Sequence, residues 1–213
     1  MKKEIPLYEA IITDDFDNGL FGIALTKSPA IETEFLTFSK QKQPLKFAIS
    51  DIENRRIISP IMRADYPIYR YDERVGDYYI MYSKPTLEKM AKKMLCQNTF
   101  NNWNAEHNCN EKLSGIYLNQ LFIKNTEKGL NPVGFEDIEE GSLFGVFSIE
   151  NDAVWNDVKE GKFVGISLEG VFEIEYSDID IEKDDEEDLT DDEFDEILSL
   201  IEEIGNKMSK NNI

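Results

Sequence analysis

The chain has a single histidine, two cysteines and no long hydrophobic run among its 213 residues. Its apolar stretches, such as LFGIAL, YYIMY and LFGVFSI, fall far short of the roughly 20 residues that a membrane-spanning helix needs. The basic start MKK leads into EIPLYEA rather than into the apolar core of a signal peptide. We therefore expect a soluble, intracellular protein without a membrane partner, in which Cys96 and Cys109 stay as free thiols.

Positive charge is also scarce, with 23 Lys and Arg against 43 Asp and Glu and a net charge of −20. Binding to nucleic acid needs clustered cations, so nucleic acid is not an expected partner. Residues 178–213 alone hold 15 acidic residues and three lysines, a net charge of −12. This asymmetry predicts a body over 1–177, an acidic linker over 178–189 and an amphipathic helix over 190–213, which Thr190 and Glu193 begin as a capping box.

Complete ligand sets for metals and cofactors are missing as well. His107, Cys96 and Cys109 offer three zinc ligands at most, without a paired-cysteine spacing. The acidic run DIDIEKDDEEDL fails as a calcium loop, because Lys183 replaces the glycine of the sharp turn and Leu189 replaces the bidentate glutamate. No glycine-rich phosphate loop is present. The sequence predicts neither a metal nor a cofactor.

What the chain does contain is a series of β-branched and aromatic runs between turn signals. A helix is predicted over residues 83–97, with Pro85 near its start, and a shorter one within NDAVWNDVKEG, where Asp152 can serve as the cap. The predicted fold class is β-rich α+β, a mostly antiparallel β-barrel flanked by a few helices, with an acidic C-terminal tail helix. The strand-like runs are YEAIITDD, LFGIALT, LKFAISDI, RIISPIMRA, DYYIMYS, SGIYLNQLFIKN, SLFGVFSIEN and KFVGISLEGVFEIEY.

Two segments contain the residue types of nucleophilic catalysis, which needs a hydroxyl or thiol, a base and donors for an oxyanion. Ser167 lies in GISLEG between Gly165 and Gly170, whose missing side chains leave backbone amides accessible. His107 is the only imidazole available as a base. Cys109 is a second candidate nucleophile, although a residue two positions from His107 does not face it well. Taken singly, a serine in a strand or a lone histidine more often has no catalytic role.

The order of these segments resembles that of the phage prohead maturation proteases of the XkdF-like kind, which are distant relatives of the herpesvirus assemblins. The resemblance covers about residues 20–176 and rests on WNAEHN after a helix, then SGIYLNQLFI, then SIENDAVWNDVKEGKFVGISLEG. It implies that Ser167 is the nucleophile and that His107 is the general base. Assemblins also use an arginine near the oxyanion site, whereas every arginine here lies between 55 and 74. Backbone amides around Gly165 and Gly170 would then supply the oxyanion donors.

The third member of the triad is a histidine in the herpesvirus relatives, which this chain cannot provide. An acidic residue is expected instead, and Glu173 is preferred, because Glu169 stands close to the nucleophile on the same strand. The candidates that follow Ser167 in the chain are Glu169, Glu173, Glu175, Asp178 and Asp180.

The resemblance implies a serine endopeptidase that cleaves scaffold and major capsid precursor proteins inside assembling phage proheads, in the host cytoplasm. Homo-oligomer formation is left open. Two alternatives remain at this point. One is a catalytically silent structural component of a virion that keeps the protease fold, and the other is an acidic interaction protein that acts through its tail.

Overall fold

The computed structural model of the protein describes residues 5–27, 46–74 and 76–177, apart from the side chain of Cys109. These residues belong to one compact unit. The predicted linker over 178–189 and the predicted helix over 190–213 lie outside the described residues, and so does the rejected calcium loop.

Twelve strands in the described ranges form three four-stranded sheets. The first sheet has the order β12-β1-β6-β5, the second β3-β4-β10-β9 and the third β11-β2-β7-β8. Most neighbours are antiparallel, but β1 pairs in parallel with β6, and β2 with β7. The strands are Leu7–Ile11 (β1), Gly19–Thr26 (β2), Ala48–Asp51 (β3), Arg56–Met62 (β4), Ile68–Asp72 (β5), Gly76–Met81 (β6), Trp103–Ala105 (β7), Asn108–Leu113 (β8), Ile116–Ile123 (β9), Leu143–Ile149 (β10), Gly165–Val171 (β11) and Glu173–Tyr176 (β12).

The predicted β-rich α+β class is confirmed, but the predicted barrel is not found, because no sheet of the described residues closes on itself. A barrel needs one continuous ladder of strand pairs around its circumference. Here the final strand-like run divides at Phe172, so that β11 pairs with β2 in the third sheet and β12 pairs with β1 in the first. The strand patterns identify strands but do not identify their partners.

Two helices accompany the sheets, and both were predicted. Helix α1, Lys84–Gln97, has a proline in its first turn and ends at Asn98, whose left-handed backbone lets its N–H reach Met94 O. Helix α2, Asp152–Lys159, is capped by Asn151 rather than by Asp152, because the Asn151 side chain accepts from the N–H groups of the first turn. Two short 3-10 helices, Thr99–Asn101 and Thr126–Lys128, also occur. No helix in the described ranges is long and apolar enough to cross a membrane.

One hydrophobic core joins the sheets and helices. From the third sheet, Ile23, Leu25 and Trp103 enter this core, and the Trp103 ring meets the Phe147 ring edge to face at 5.0 Å between centroids. The second tryptophan, Trp155 of α2, is buried in the same core. Both tryptophans are therefore core anchors, as their size favours.

Candidate active site

The third sheet has two unlike faces. Side chains alternate along a strand, so Ile23 and Leu25 point into the core while Gly22 and Ala24 lie on the opposite face. Cross-strand pairing places Ser167 beside Ala24, and Ala24 beside Asn104 on β7. Glu169 pairs with Gly22 in the next row of the same face. We call the surface formed by Gly22, Ala24, Asn104, Ser167 and Glu169 the polar face.

Ser167 is in the middle of β11 and is 7% exposed. Its neighbours Ile166 and Leu168 point toward the core, which fixes the hydroxyl of Ser167 on the polar face. Among the described residues the hydroxyl has no hydrogen-bond partner. The candidate nucleophile is thus a largely buried strand residue whose hydroxyl is not bound to another described residue.

His107 is presented by a tight turn between β7 and β8. Ala105 pairs with Asn108, which leaves Glu106 and His107 as a two-residue hairpin loop. Both loop residues have left-handed backbones, with φ of 52° and 59°. This is the geometry of a type I′ turn, which normally favours Asn and Gly. Left-handed backbone costs about 1–2 kcal/mol for each such residue, so the hairpin holds its histidine in a strained position.

Glu106 fastens this turn to the end of β2. Its carboxylate accepts hydrogen bonds from the Thr26 hydroxyl at 3.1 Å and from the Lys27 N–H at 2.8 Å, and its own N–H donates to Leu25 O at 3.0 Å. A carboxylate acceptor makes stronger bonds than a neutral one. These contacts hold the strained turn in place and fix the point from which the His107 side chain extends.

The carboxylate beside His107 belongs to Glu169. His107 Nδ1 lies 3.0 Å from Glu169 Oε1, and the two side chains are 43% and 18% exposed. Glu173 was preferred from the sequence, but it lies in β12, where it pairs with Ile11 of the first sheet. The objection that Glu169 is too close to Ser167 does not hold, because the imidazole reaches the carboxylate from the hairpin and not along β11.

The contact with Glu169 indicates which imidazole nitrogen bears the proton. A carboxylate accepts hydrogen bonds, so the neutral imidazole bears its proton on Nδ1 and keeps a lone pair on Nε2. In the described structure Ser167 Oγ and the His107 ring are not hydrogen-bonded to each other. Catalytic hydrogen bonds are often long before a substrate binds. The described structure therefore contains the contact between His107 and Glu169 but not a hydrogen bond between Ser167 and His107.

The two glycines proposed for the oxyanion lie at the two ends of β11. Gly165 pairs with Thr26, and Gly170 pairs with Leu20 next to a break in the register. A Cβ on Gly170 would come within 2.5 Å of the Phe172 ring and 2.8 Å of Gly19 O, so close packing alone requires glycine there. The role of both backbone amides in binding an oxyanion stays a prediction.

A cavity of about 330 Å³ lies against β11, and Ser167 is among its lining residues. Most of the lining residues are apolar, and they include Ile166 and Leu168, whose side chains point away from the polar face. The cavity therefore lies mainly on the core side of β11, opposite the hydroxyl of Ser167. We do not assign it to the bound substrate.

Sequence reasoning missed Gly22, Asn104 and Glu106, which surround the predicted residues. No strand was predicted at β7 or β8, although WNA alternates apolar and polar residues before the hairpin. Asparagine and histidine tolerate left-handed backbone, so EHN offered a weak turn signal. Gly22 had no local signal, because its neighbour Glu169 is far away in the chain.

No group of three or more His, Cys, Asp or Glu side chains with the geometry of a metal site occurs in the part of the chain that the structure describes. The described chemistry of the site is therefore one hydroxyl, one imidazole, one carboxylate and one carboxamide. Comparisons with protein-family models, with curated proteins and with solved structures found no match to this chain.

Proposed function

We propose that the protein is a serine endopeptidase with Ser167 as nucleophile, His107 as general base and Glu169 as the residue that orients the imidazole. The contact of 3.0 Å between His107 Nδ1 and Glu169 Oε1 is the observation that carries this proposal. It joins residues 62 positions apart on the face that also holds Ser167. The left-handed turn and the partly buried carboxylate beside the imidazole further support this proposal.

The reaction follows from these positions. Ser167 Oγ attacks the carbonyl carbon of the scissile peptide while His107 Nε2 takes the hydroxyl proton. The resulting imidazolium is stabilised by Glu169 and then gives the proton to the leaving amine as the carbon–nitrogen bond breaks. In the second half, water attacks the acyl carbon while His107 Nε2 takes one of its protons. The imidazolium then gives that proton to Ser167 Oγ as the ester bond breaks and the carboxylic acid leaves.

The position of β11 favours a polypeptide substrate. In the order β11-β2-β7-β8 it is an outer strand of its sheet, and among the described residues Lys46 alone forms an isolated bridge to it, at Gly165. An extended chain can pair with an outer strand through main-chain hydrogen bonds. Scaffold and major capsid precursor chains inside a phage prohead are the substrates that the resemblance of the sequence suggests.

The test is covalent labelling followed by cleavage. The wild type is treated with a fluorophosphonate, which labels activated serines, and is separately incubated with scaffold and capsid precursor proteins. Ser167→Ala should lose both labelling and cleavage. Ser59→Ala is the matched control, because Ser59 is a fully buried strand serine that donates only to Pro60 O. It should keep both activities.

A labelled Ser167→Ala variant would place the nucleophile elsewhere. A wild type that is neither labelled nor able to cleave would end the enzymatic proposal. The silent structural component would then be the better description, since it predicts the same fold without reactivity at Ser167. The acidic interaction protein predicts that residues 178–213 alone bind the partner of the full chain.

A further inference from the structure

Two residues of the polar face, Asn104 and Gly22, determine where the carboxylate of Glu169 lies. Its Oε1 accepts from Asn104 Nδ2 at 2.8 Å and faces His107 Nδ1 at 3.0 Å. Its Oε2 lies over Gly22, where a Cβ would come within 2.7 Å of that oxygen. The Asn104 amide on β7 and the space left by Gly22 on β2 therefore fix the position of the carboxylate, and the carboxylate fixes the imidazole.

The orientation of Asn104 follows from the carboxylate. A carboxylate can only accept, so the NH₂ group of Asn104 must face Glu169 and Oδ1 must point the other way. Asn104 is 6% exposed, and its Oδ1 is buried without a hydrogen-bond partner among the residues that the structure describes. Burying an unpaired acceptor destabilises the folded state. Asn104 is thus a poor choice for stability alone, and its favourable contact is the one to Glu169.

Gly22 is likewise an unfavourable residue for stability that makes room for the Glu169 carboxylate. It lies inside β2, where glycine weakens a strand, and its backbone is not among those with positive φ. Alanine would fit the backbone but would displace Oε2 of Glu169. The missing Cβ therefore has a local purpose, which is to let the carboxylate lie close over β2.

We infer that Asn104 and Gly22 are positioning residues that hold Glu169 against His107 Nδ1 and so keep Nε2 as the free base. Their role in catalysis rests on the proposed function, but their effect on the imidazole does not. The chain has one histidine, so its ring nitrogens give a single, unambiguous set of NMR signals. The tautomer of that ring can therefore be read without any assay of activity.

The main experiment compares two buried asparagines. In full-length protein with ¹⁵N-labelled histidine, at a pH where the imidazole is neutral, the wild type should show the Nδ1–H tautomer with a slowly exchanging proton. Asn104→Leu should lose that preference and lower precursor cleavage by about 100-fold, as small misplacements of reacting groups do. Its melting temperature should change little, because the unpaired Oδ1 is removed together with the contact to Glu169.

Asn18→Leu is the matched control. Asn18 has the same 6% exposure, but both ends of its amide are bonded, since Oδ1 accepts from Thr13 N and Nδ2 donates to Ile11 O. This variant should melt clearly earlier while its histidine signals match those of the wild type. A merely structural asparagine at 104 would behave in the same way as Asn18.

Gly22→Ala tests whether the missing Cβ at position 22 is needed to position Glu169. It should shift the histidine signals in the direction of Asn104→Leu and reduce cleavage, with the fold retained by circular dichroism. Unchanged tautomer and exchange in both folded variants would overturn the inference. If both variants alter the signals but the wild type cleaves nothing, Asn104 and Gly22 do position Glu169 against His107, and the proposed function fails.

Discussion

The two faces of the third sheet use the same strands in opposite ways. On one face, Ile23, Leu25 and Trp103 are almost completely buried and pack on other apolar side chains. On the polar face, small residues of β2 leave room for Ser167, Glu169 and Asn104. The first arrangement gains stability from burial. The second contains an acceptor that is unpaired among the described residues, and it lies beside the strained hairpin of Glu106 and His107, and both features cost stability.

This difference shows which parts of the sheet are explained by folding alone. Every side chain of the core face improves packing, so its presence needs no chemical purpose. The polar face gathers several groups that a stable sheet would replace, and they converge on one imidazole. Substitutions on the core face should therefore change stability, and substitutions on the polar face should change the proposed activity.

The largest expected effect is the loss of activity when the charge beside His107 is removed. Glu169→Gln should reduce precursor cleavage by about 10⁴-fold, as the equivalent amide does in other triads. Glu173→Gln should be nearly silent, because Glu173 pairs in β12 with β1 and makes no contact with the imidazole in the described structure. The measurement is kcat/KM on a peptide from a precursor junction. Equal rates for the two amides would remove Glu169 from the site.

The core face should respond in stability rather than in chemistry. Leu25→Ala removes a fully buried side chain and should lower the free energy of unfolding by about 2–5 kcal/mol. Leu95→Ala, at a site where leucine is 55% exposed, should change it by less than about 0.5 kcal/mol. Urea denaturation gives both values. Cleavage by the folded fraction of Leu25→Ala should stay near that of the wild type, and a specific loss there would mean that the faces are coupled.

A buried hydroxyl in the core gives a smaller effect that depends on pH. Burial raises the pKa of Tyr82 to about 12, above the value of about 10 expected in the unfolded chain. The stability that the protonated phenol contributes is complete below pH 10 and is lost as the pH rises toward 12. The loss is about 1 kcal/mol at pH 11. Tyr82→Phe should lessen this alkaline loss in urea titrations, whereas Tyr71→Phe, on an exposed ring, should not.

The smallest effect should be a gain of stability at the hairpin beside the polar face. His107→Gly relieves one left-handed backbone and should raise the free energy of unfolding by about 0.5–1 kcal/mol while abolishing cleavage. His107→Ala removes the same imidazole without relieving the backbone, so it should be inactive and no more stable than the wild type. If glycine gives no advantage over alanine, the hairpin is not strained.

The sequence predicted much of the local structure and named two of the three residues of the proposed site. Alternating and helical patterns located most strands and both helices, because these patterns follow from the periods of strand and helix. They did not show that Phe172 divides one long run between two sheets, since pairing is decided by distant residues. For the same reason Glu173 was preferred to Glu169. The turn at Glu106 is stabilised by contacts to Thr26 and Lys27, which no nearby residue reveals.

The parallel pairing of β2 with β7 has a consequence for the order in which the molecule becomes complete. Asn104 must find a strand about 80 residues earlier in the chain, and Glu169 must then find both. Contacts between such distant segments form late, because a long loop must close before they can stabilise anything. A nascent chain that has not yet emerged past β11 has neither the hydroxyl of Ser167 nor the carboxylate of Glu169. The proposed activity therefore requires that synthesis of the body be nearly finished.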